Sequence, residues 1–185
     1  MLNEQPNAWN SGLRVNIRNT VDTSKIQKLA RQAACNILVG FPSGEEHVPT
    51  FHKNKEGEYK GYNGENIEDV KPQTTEELAR ELSYGTATIP ARPFLEEGIA
   101  SKEKELSEAL KQEAAKVMNG GSANWNKVGG MAVGAIEEFV RGDHYKTTKP
   151  NSKKTIDYKG SDKPLIDGAN LIQSMHYIVQ QNGGK

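Results

Sequence analysis

The sequence predicts an α+β domain: a small mixed or antiparallel sheet, about three substantial helices covering it, and long polar loops. Apolar residues recur at helical spacing in several separate stretches. Strand-like patterning is confined to short runs near 13–17, 37–41 and 174–180. No internal repeat and no β-α-β alternation suited to a dinucleotide fold is present. A sheet this small needs helices to shield one face.

Residues 1–22 read as an Asn-rich N-terminal arm, in which Leu13-Arg14-Val15-Asn16-Ile17 alternates as a short strand would. One domain is expected over 23–181, with 182–185 as a tail. Its first helix starts near Thr23 or Ser24 as cap. Ile26, Leu29, Ala30, Ala33, Ala34, Ile37 and Leu38 give it an apolar stripe, and Cys35 falls within that pattern. Val39-Gly40-Phe41 begins a strand, and Pro42-Ser43-Gly44 turns it.

Residues 45–73 are almost wholly polar and punctuated by Gly57, Gly61 and Gly64. So long a stretch without its own core is unusual in a compact domain. It fits either a long hairpin or an insertion that orders against another subunit. Thr75–Leu82 then reads as a short helix with acidic residues in its first turn, stopped by Gly85. Pro90 and Pro93 fix the backbone before a long helix over about 94–118, with Leu95, Ile99, Leu106, Leu110, Ala114 and Val117 on one face. Met118–Ser122 breaks it.

The next helix covers about 123–141, with Trp125, Val128, Ala132, Ala135, Ile136 and Phe139 on one side. Its Gly129, Gly130 and Gly134 each cost roughly 1 kcal/mol of helix propensity against alanine. That cost suggests close approach to another backbone. Residues 142–163 read as a Lys-rich loop. Pro164-Leu165-Ile166-Asp167 leads a short amphipathic turn into a closing strand, where His176 alternates with apolar positions.

Composition narrows the function. Lys plus Arg and Asp plus Glu each number 24, so the whole chain supplies no field to hold phosphates. Mean hydropathy is −0.74, and much of the chain must face water or a partner. No apolar run is long enough to span a membrane, and the N-terminus lacks a signal-peptide layout. The single cysteine reads as a semi-buried thiol in a reducing compartment.

Chemistry-bearing motifs are sparse. Gly40–Gly44 and Gly120–Asn124 lack the Gly-Lys-Ser/Thr ending of a phosphate loop. His47 and His52, beside Glu45 and Glu46, would need further ligands to hold zinc and read as solvated histidines. His144 reads as a C-terminal capping side chain. Carboxylates abound, so a phage lytic glycoside hydrolase using a carboxylate pair is the alternative reading. Nearly every Glu, however, falls on a charged helix face. No cofactor or catalytic residue is assigned.

Two compact segments read as structural joints. In Ile89-Pro90-Ala91-Arg92-Pro93-Phe94-Leu95, the planar five-donor head of Arg92 suits several carbonyls or a carboxylate. Asp167 reads as a cap accepting from the N–H of Asn170. Lys146, Lys149, Lys153, Lys154 and Lys159 form the one candidate basic patch, a solvated loop or one facing a channel that passes DNA, the first four being the candidate DNA contacts.

The Pro-Ala-Arg-Pro-Phe-Leu run followed by Gly98-Ile99 resembles the helix entry of tail-completion and neck proteins of tailed bacteriophages, also described as virion morphogenesis or tail-component proteins. Further likeness lies in the helix over 23–38, Val39-Gly40, the acidic helix ending in Tyr84-Gly85, and Pro164-Leu165-Ile166-Asp167 with Leu171 and Ser174. Gly168 and Ala169 depart, where threonine and glycine are usual. The resemblance implies a non-enzymatic structural protein forming a ring, with a hexamer expected, at the head–tail junction or head-proximal end of the tail. Its partners would be neighbouring neck or connector and tail-tube proteins, with transient contact to passing DNA and none to a membrane. Arg92, Pro93, Phe94, Asp167 and Leu171 would be structural or interface residues. Separately, their length and lack of an internal core make the 45–73 and 142–163 stretches candidates for contacts between subunits or to neighbouring rings, with idle surface insertions as the alternative.

Overall fold

A computed structural model describes residues 24, 27, 30, 31, 34–44, 46, 47, 49, 51–54, 56–70, 72–167 and 170–181. The expected strand at 13–17 lies outside them. Helix takes about 51% and strand 13%, so helices build most of the core and the α+β class holds.

The strands form three two-stranded antiparallel ribbons among the described residues. β1 (Cys35–Gly40) pairs with β6 (His176–Gln181). β2 (Glu46–His47) pairs with β5 (Gln73–Thr74), and β3 (His52–Lys53) with β4 (Tyr59–Lys60). The helices are α1 (Thr75–Tyr84), α2 (Phe94–Ser101), α3 (Glu103–Met118), α4 (Trp125–Arg141), α5 (His144–Thr148), α6 (Lys153–Lys159) and α7 (Asn170–Gln173).

Several expectations are corrected. Ser24, Gln27, Ala30 and Arg31 are helical, but Cys35, Ile37 and Leu38 lie in β1. The apolar stripe ran on because β-branched strand residues followed the helix without a breaker. In β1 the pattern switches to period two: Ile37 and Val39 are half-buried, Asn36 and Leu38 exposed.

The long helix over 94–118 is two helices. Lys102 leaves helical geometry at φ −124°, ψ 23°. Its neighbour Ser101 donates its hydroxyl to the Gly98 carbonyl at 2.6 Å, a local bond that competes with the helix ladder. The buried face of α3 is also turned by one residue. Leu106, Ala109, Glu113 and Val117 are buried, while Leu110 is 40% exposed. The break after α3 is a Schellman turn: Gly120 at φ +82° lets Gly121 N–H reach the Lys116 carbonyl.

Residues 142–163 hold two short helices instead of a loop. The polar 45–73 stretch holds the β3–β4 hairpin, strand β2, a 3-10 turn at Ile67–Asp69 and the first residue of β5.

The core joins α2, α4, the closing segment and part of α1. Phe94, Ile136, Val140, Tyr145, Leu171 and Ile172 are all buried there. Helices α2 and α4 meet where a Cβ on Gly98 would lie 2.8 Å from Ile136 Cα. The glycines of α4 divide differently from expectation. Gly129 is crossed by the Tyr177 ring, a side chain and not a backbone, whereas Gly130 and Gly134 face open space.

Candidate functional site

The two segments that read as joints converge on one cleft. Helix α1 forms one wall through Leu78 and Leu82. Ile89, Pro90 and Arg92 also line it, together with α6 and the closing turn. The cleft holds about 690 Å³.

Local sequence explains each wall. Helix α1 starts with a capping box: Thr74 accepts from Glu77 N–H, and Glu77 accepts from Thr74 N–H. It ends at Gly85, φ +78°, where a Cβ would sit 2.7 Å from Ala91 N. Arg92 N–H then donates to the Leu82 carbonyl at 2.8 Å. The chain is thus folded back sharply before Pro93 and α2.

Arg92 is 4% exposed. Its Nε donates to the Lys149 carbonyl at 2.9 Å, and its Nη2 to the Pro150 carbonyl at 3.1 Å and Asn151 Oδ1 at 3.4 Å. The link between α5 and α6 is therefore built around this guanidinium. Phe94 is buried with its ring edge-on to Phe41, and Leu171 is buried in the same core.

Asp167 Oδ1 lies 2.7 Å from His52 Nε2. That pair ties the closing turn to the β3–β4 hairpin across 115 residues of chain. The expected cap position of Asp167 involves residues 168 and 169, outside those described. His47 also sits at the cleft. Burial pushes its pKa below the ordinary 6.5, and the Asp167 charge opposes the shift.

Two residues are structural beyond the sequence reading, Lys159, which that reading groups with the basic loop, and Tyr145, which it leaves unassigned. Lys159 donates Nζ to the Lys163 carbonyl and, at 2.6 Å, to the Ile166 carbonyl. Burial lowers its pKa. Between those carbonyls Leu165 sits at φ +60°, a conformation costing a leucine roughly 1–2 kcal/mol. The ammonium offsets that strain by holding both sides of the turn. Tyr145, 4% exposed, donates its hydroxyl to Glu97 Oε2 at 2.6 Å. Its pKa is raised by burial first and by that carboxylate second. Neither residue carried a pattern signal, because both stood in what read as a polar loop.

Glu113 is an exception to the expectation that nearly every Glu lies on a charged helix face: it is 1% exposed. It accepts from Asn124 N–H at 2.8 Å and from Lys116 Nζ at 2.6 Å. A signal existed: Glu113 lies seven residues after Leu106 and four before Val117, on the buried stripe.

The basic patch is partly tied down. Lys146 pairs with Asp162 at 2.8 Å. Lys154 donates to Asn63 Oδ1 at 2.8 Å and lies 4.3 Å over the Tyr62 ring. Lys153 is exposed in the first turn of α6, and Lys149 is half-buried. The two polar stretches dock on each other: Tyr158 donates to the Lys60 carbonyl at 3.0 Å, and Tyr62 meets Thr155 at 3.2 Å. Contacts within one chain therefore help order both stretches, and 45–73 takes the hairpin alternative at β3–β4.

His144 opens α5 instead of capping α4, whose last carbonyls accept from Gly142 N–H. His176 is exposed on β6, between half-buried Tyr177 and buried Met175. Burial raises the pKa of Cys35, favouring the neutral thiol. Among the described residues, no group of three or more His, Cys, Asp or Glu could hold a metal ion. Nor is any helix there long and apolar enough to cross a membrane.

Compared with known proteins, the chain matches no family model, no curated protein and no solved structure.

Proposed function

We propose that this chain is a non-enzymatic virion protein that forms a ring, a hexamer in the first instance, at the phage head–tail junction or head-proximal end of the tail. The observation that carries the reading is the β1–β6 ribbon. Leu38 and Ile178 are cross-strand partners on its outer face, 44% and 60% exposed. An exposed apolar pair on a ribbon with no third strand among the described residues suits a surface that assembly would cover. Support also comes from the sequence resemblance, whose most specific residues, Arg92, Phe94 and Leu171, are occupied in packing or internal hydrogen bonds. Asp167 is bound to His52 in the same way. Lys153 and the adjoining lysines would then meet passing DNA weakly, as suits a strand that must slide.

Native mass measurement of the purified full chain, alone and with tail tubes, tests the reading. A closed ring and presence in virions support it. A strict monomer absent from virions overturns it, as does clearing of purified cell walls in a turbidity assay, which would favour the lytic alternative. Reversing Lys146, Lys149, Lys153 and Lys154 to glutamate should slow DNA ejection with the ring intact. Unchanged ejection removes the DNA contact.

A further inference from the structure

Donor groups on the lining of the cleft are only partly used by the protein. Arg92 is buried and lines the cleft. Its Nε and Nη2 are taken by the Lys149 and Pro150 carbonyls and Asn151 Oδ1. Its Nη1 carries two further N–H donors and has no hydrogen-bond acceptor among the described residues. Lys159, half-buried on the same lining, gives two of its N–H donors to the Lys163 and Ile166 carbonyls and keeps a third. A buried charged donor without a partner is costly, so such groups point to an absent acceptor. We infer that this cleft binds an aliphatic carboxylate, its apolar body against Leu78, Leu82 and Leu171 and its two oxygens on Arg92 Nη1 and Lys159 Nζ. The inference stands apart from the ring reading and needs no assembly.

The charge of the lining selects an anion. Arg92, Lys154 and Lys159 face the cleft against one carboxylate, Asp167, in a chain whose charges cancel overall. Asp167 directs Oδ1 to His52 Nε2 at 2.7 Å. Burial lowers the pKa of Lys159, Asp167 raises it, and the charge of Arg92 lowers it again. The two cations thus repel each other across the lining, and an anion between them relieves both. His47, whose pKa burial holds below 6.5, adds a neutral ring beside them.

The remaining donors set the class of anion. Two N–H groups on Nη1 and one on Nζ match the two oxygens of a carboxylate in charge-assisted hydrogen bonds. A phosphate dianion would bring a third oxygen and a second negative charge toward Asp167, which repels it. Leu78, Leu82, Ile89, Leu165 and Leu171 supply the apolar lining. The volume of about 690 Å³ lies in the ~300–1,000 Å³ range of small-ligand sites, which pair an apolar lining with a few placed polar groups.

Titration of the native full chain, labelled with 15N, tests this with N-acetyl-leucine, its carboxamide and acetate as probes. N-acetyl-leucine should saturably shift the Arg92 Nε resonance and the amides of Leu78, Leu82 and Lys159. The carboxamide lacks the charge and acetate lacks the apolar body, so each should bind about tenfold more weakly or worse. A short peptide ending in the same leucine separates the two sources of this chemistry. Tighter binding than N-acetyl-leucine supports a chain end as ligand, and weaker binding supports a free acid. Equal binding of acid and carboxamide, shifts confined to residues outside the cleft, or no saturation by any probe would each overturn the inference while leaving the ring reading in place.

Discussion

The guanidinium of Arg92 donates to the backbone carbonyl of Lys149, 57 residues away, at 2.9 Å. One side chain at the entry of α2 thereby fixes the path between α5 and α6. Because Arg92 is buried, its loss leaves the Lys149 and Pro150 carbonyls without their donor. Arg92→Met should cost about 2 kcal/mol, in the range for charged hydrogen bonds and unsatisfied buried acceptors. Arg92→Lys should recover only part, since an ammonium lacks the planar fork. Urea unfolding measures both. Equal stability of Arg92→Lys and the native chain would show that geometry at this joint is unimportant.

The α4 glycines make a sharper comparison. A Cβ on Gly129 would lie 2.3 Å from Tyr177 Cδ2, whereas nothing lies within 4 Å of one on Gly130 or Gly134. Gly129→Ala should destabilise by roughly 1–3 kcal/mol through overpacking. Gly130→Ala and Gly134→Ala should each stabilise the isolated chain by up to about 1 kcal/mol through helix propensity. Thermal melts of the three variants, read side by side, give the signs. A stable Gly129→Ala would mean the Tyr177 ring moves aside at no cost.

Glu113 links acid stability to the turn between α3 and α4. The Asn124 N–H and, after it, Lys116 hold its pKa below the ordinary 4.5. A carboxyl held low in the folded chain binds fewer protons there than when unfolded. Its contribution is therefore present above about pH 4.5 and is lost as pH falls through the folded pKa. Glu113→Gln should reduce the stability lost on acidification in that window. Denaturant midpoints at pH 6, 4.5 and 3.5 test this, and curves with the same slope for both proteins would contradict it.

His47 acts on a different window with the same sign. Its folded pKa is depressed by burial below 6.5, so the unfolded chain takes up a proton first as pH falls. Stability should decline as pH drops below about 6.5. His47→Gln should remove that component while leaving the His52–Asp167 pair in place. Unfolding midpoints at pH 7.5 and 5.5 provide the check; the same decline in His47→Gln would assign it elsewhere.

The sequence alone determined the class and the strongest helices. Periodic apolar residues and clear stop signals made α1 and α4 legible, and Pro-Ala-Arg-Pro marked the joint that Arg92 occupies. Local propensity and spacing suffice there because each signal lies within a few residues of what it specifies. Only the tertiary structure decided the rest. Ile37 and Leu38 continue a helical stripe, yet pairing with Val179 and Ile178 draws them into β1. The polar stretches at 45–73 and 142–163 looked coreless because each finds partners in the other, as Tyr158 does at Lys60 and Tyr62 at Thr155. Lys159 and Tyr145 became structural through acceptors brought to them by folding. Contacts such as Tyr145 to Glu97 across 48 residues and His52 to Asp167 across 115 leave no periodic trace in the chain, and the Lys159 contacts, though local, form only once the turn at Leu165 is in place.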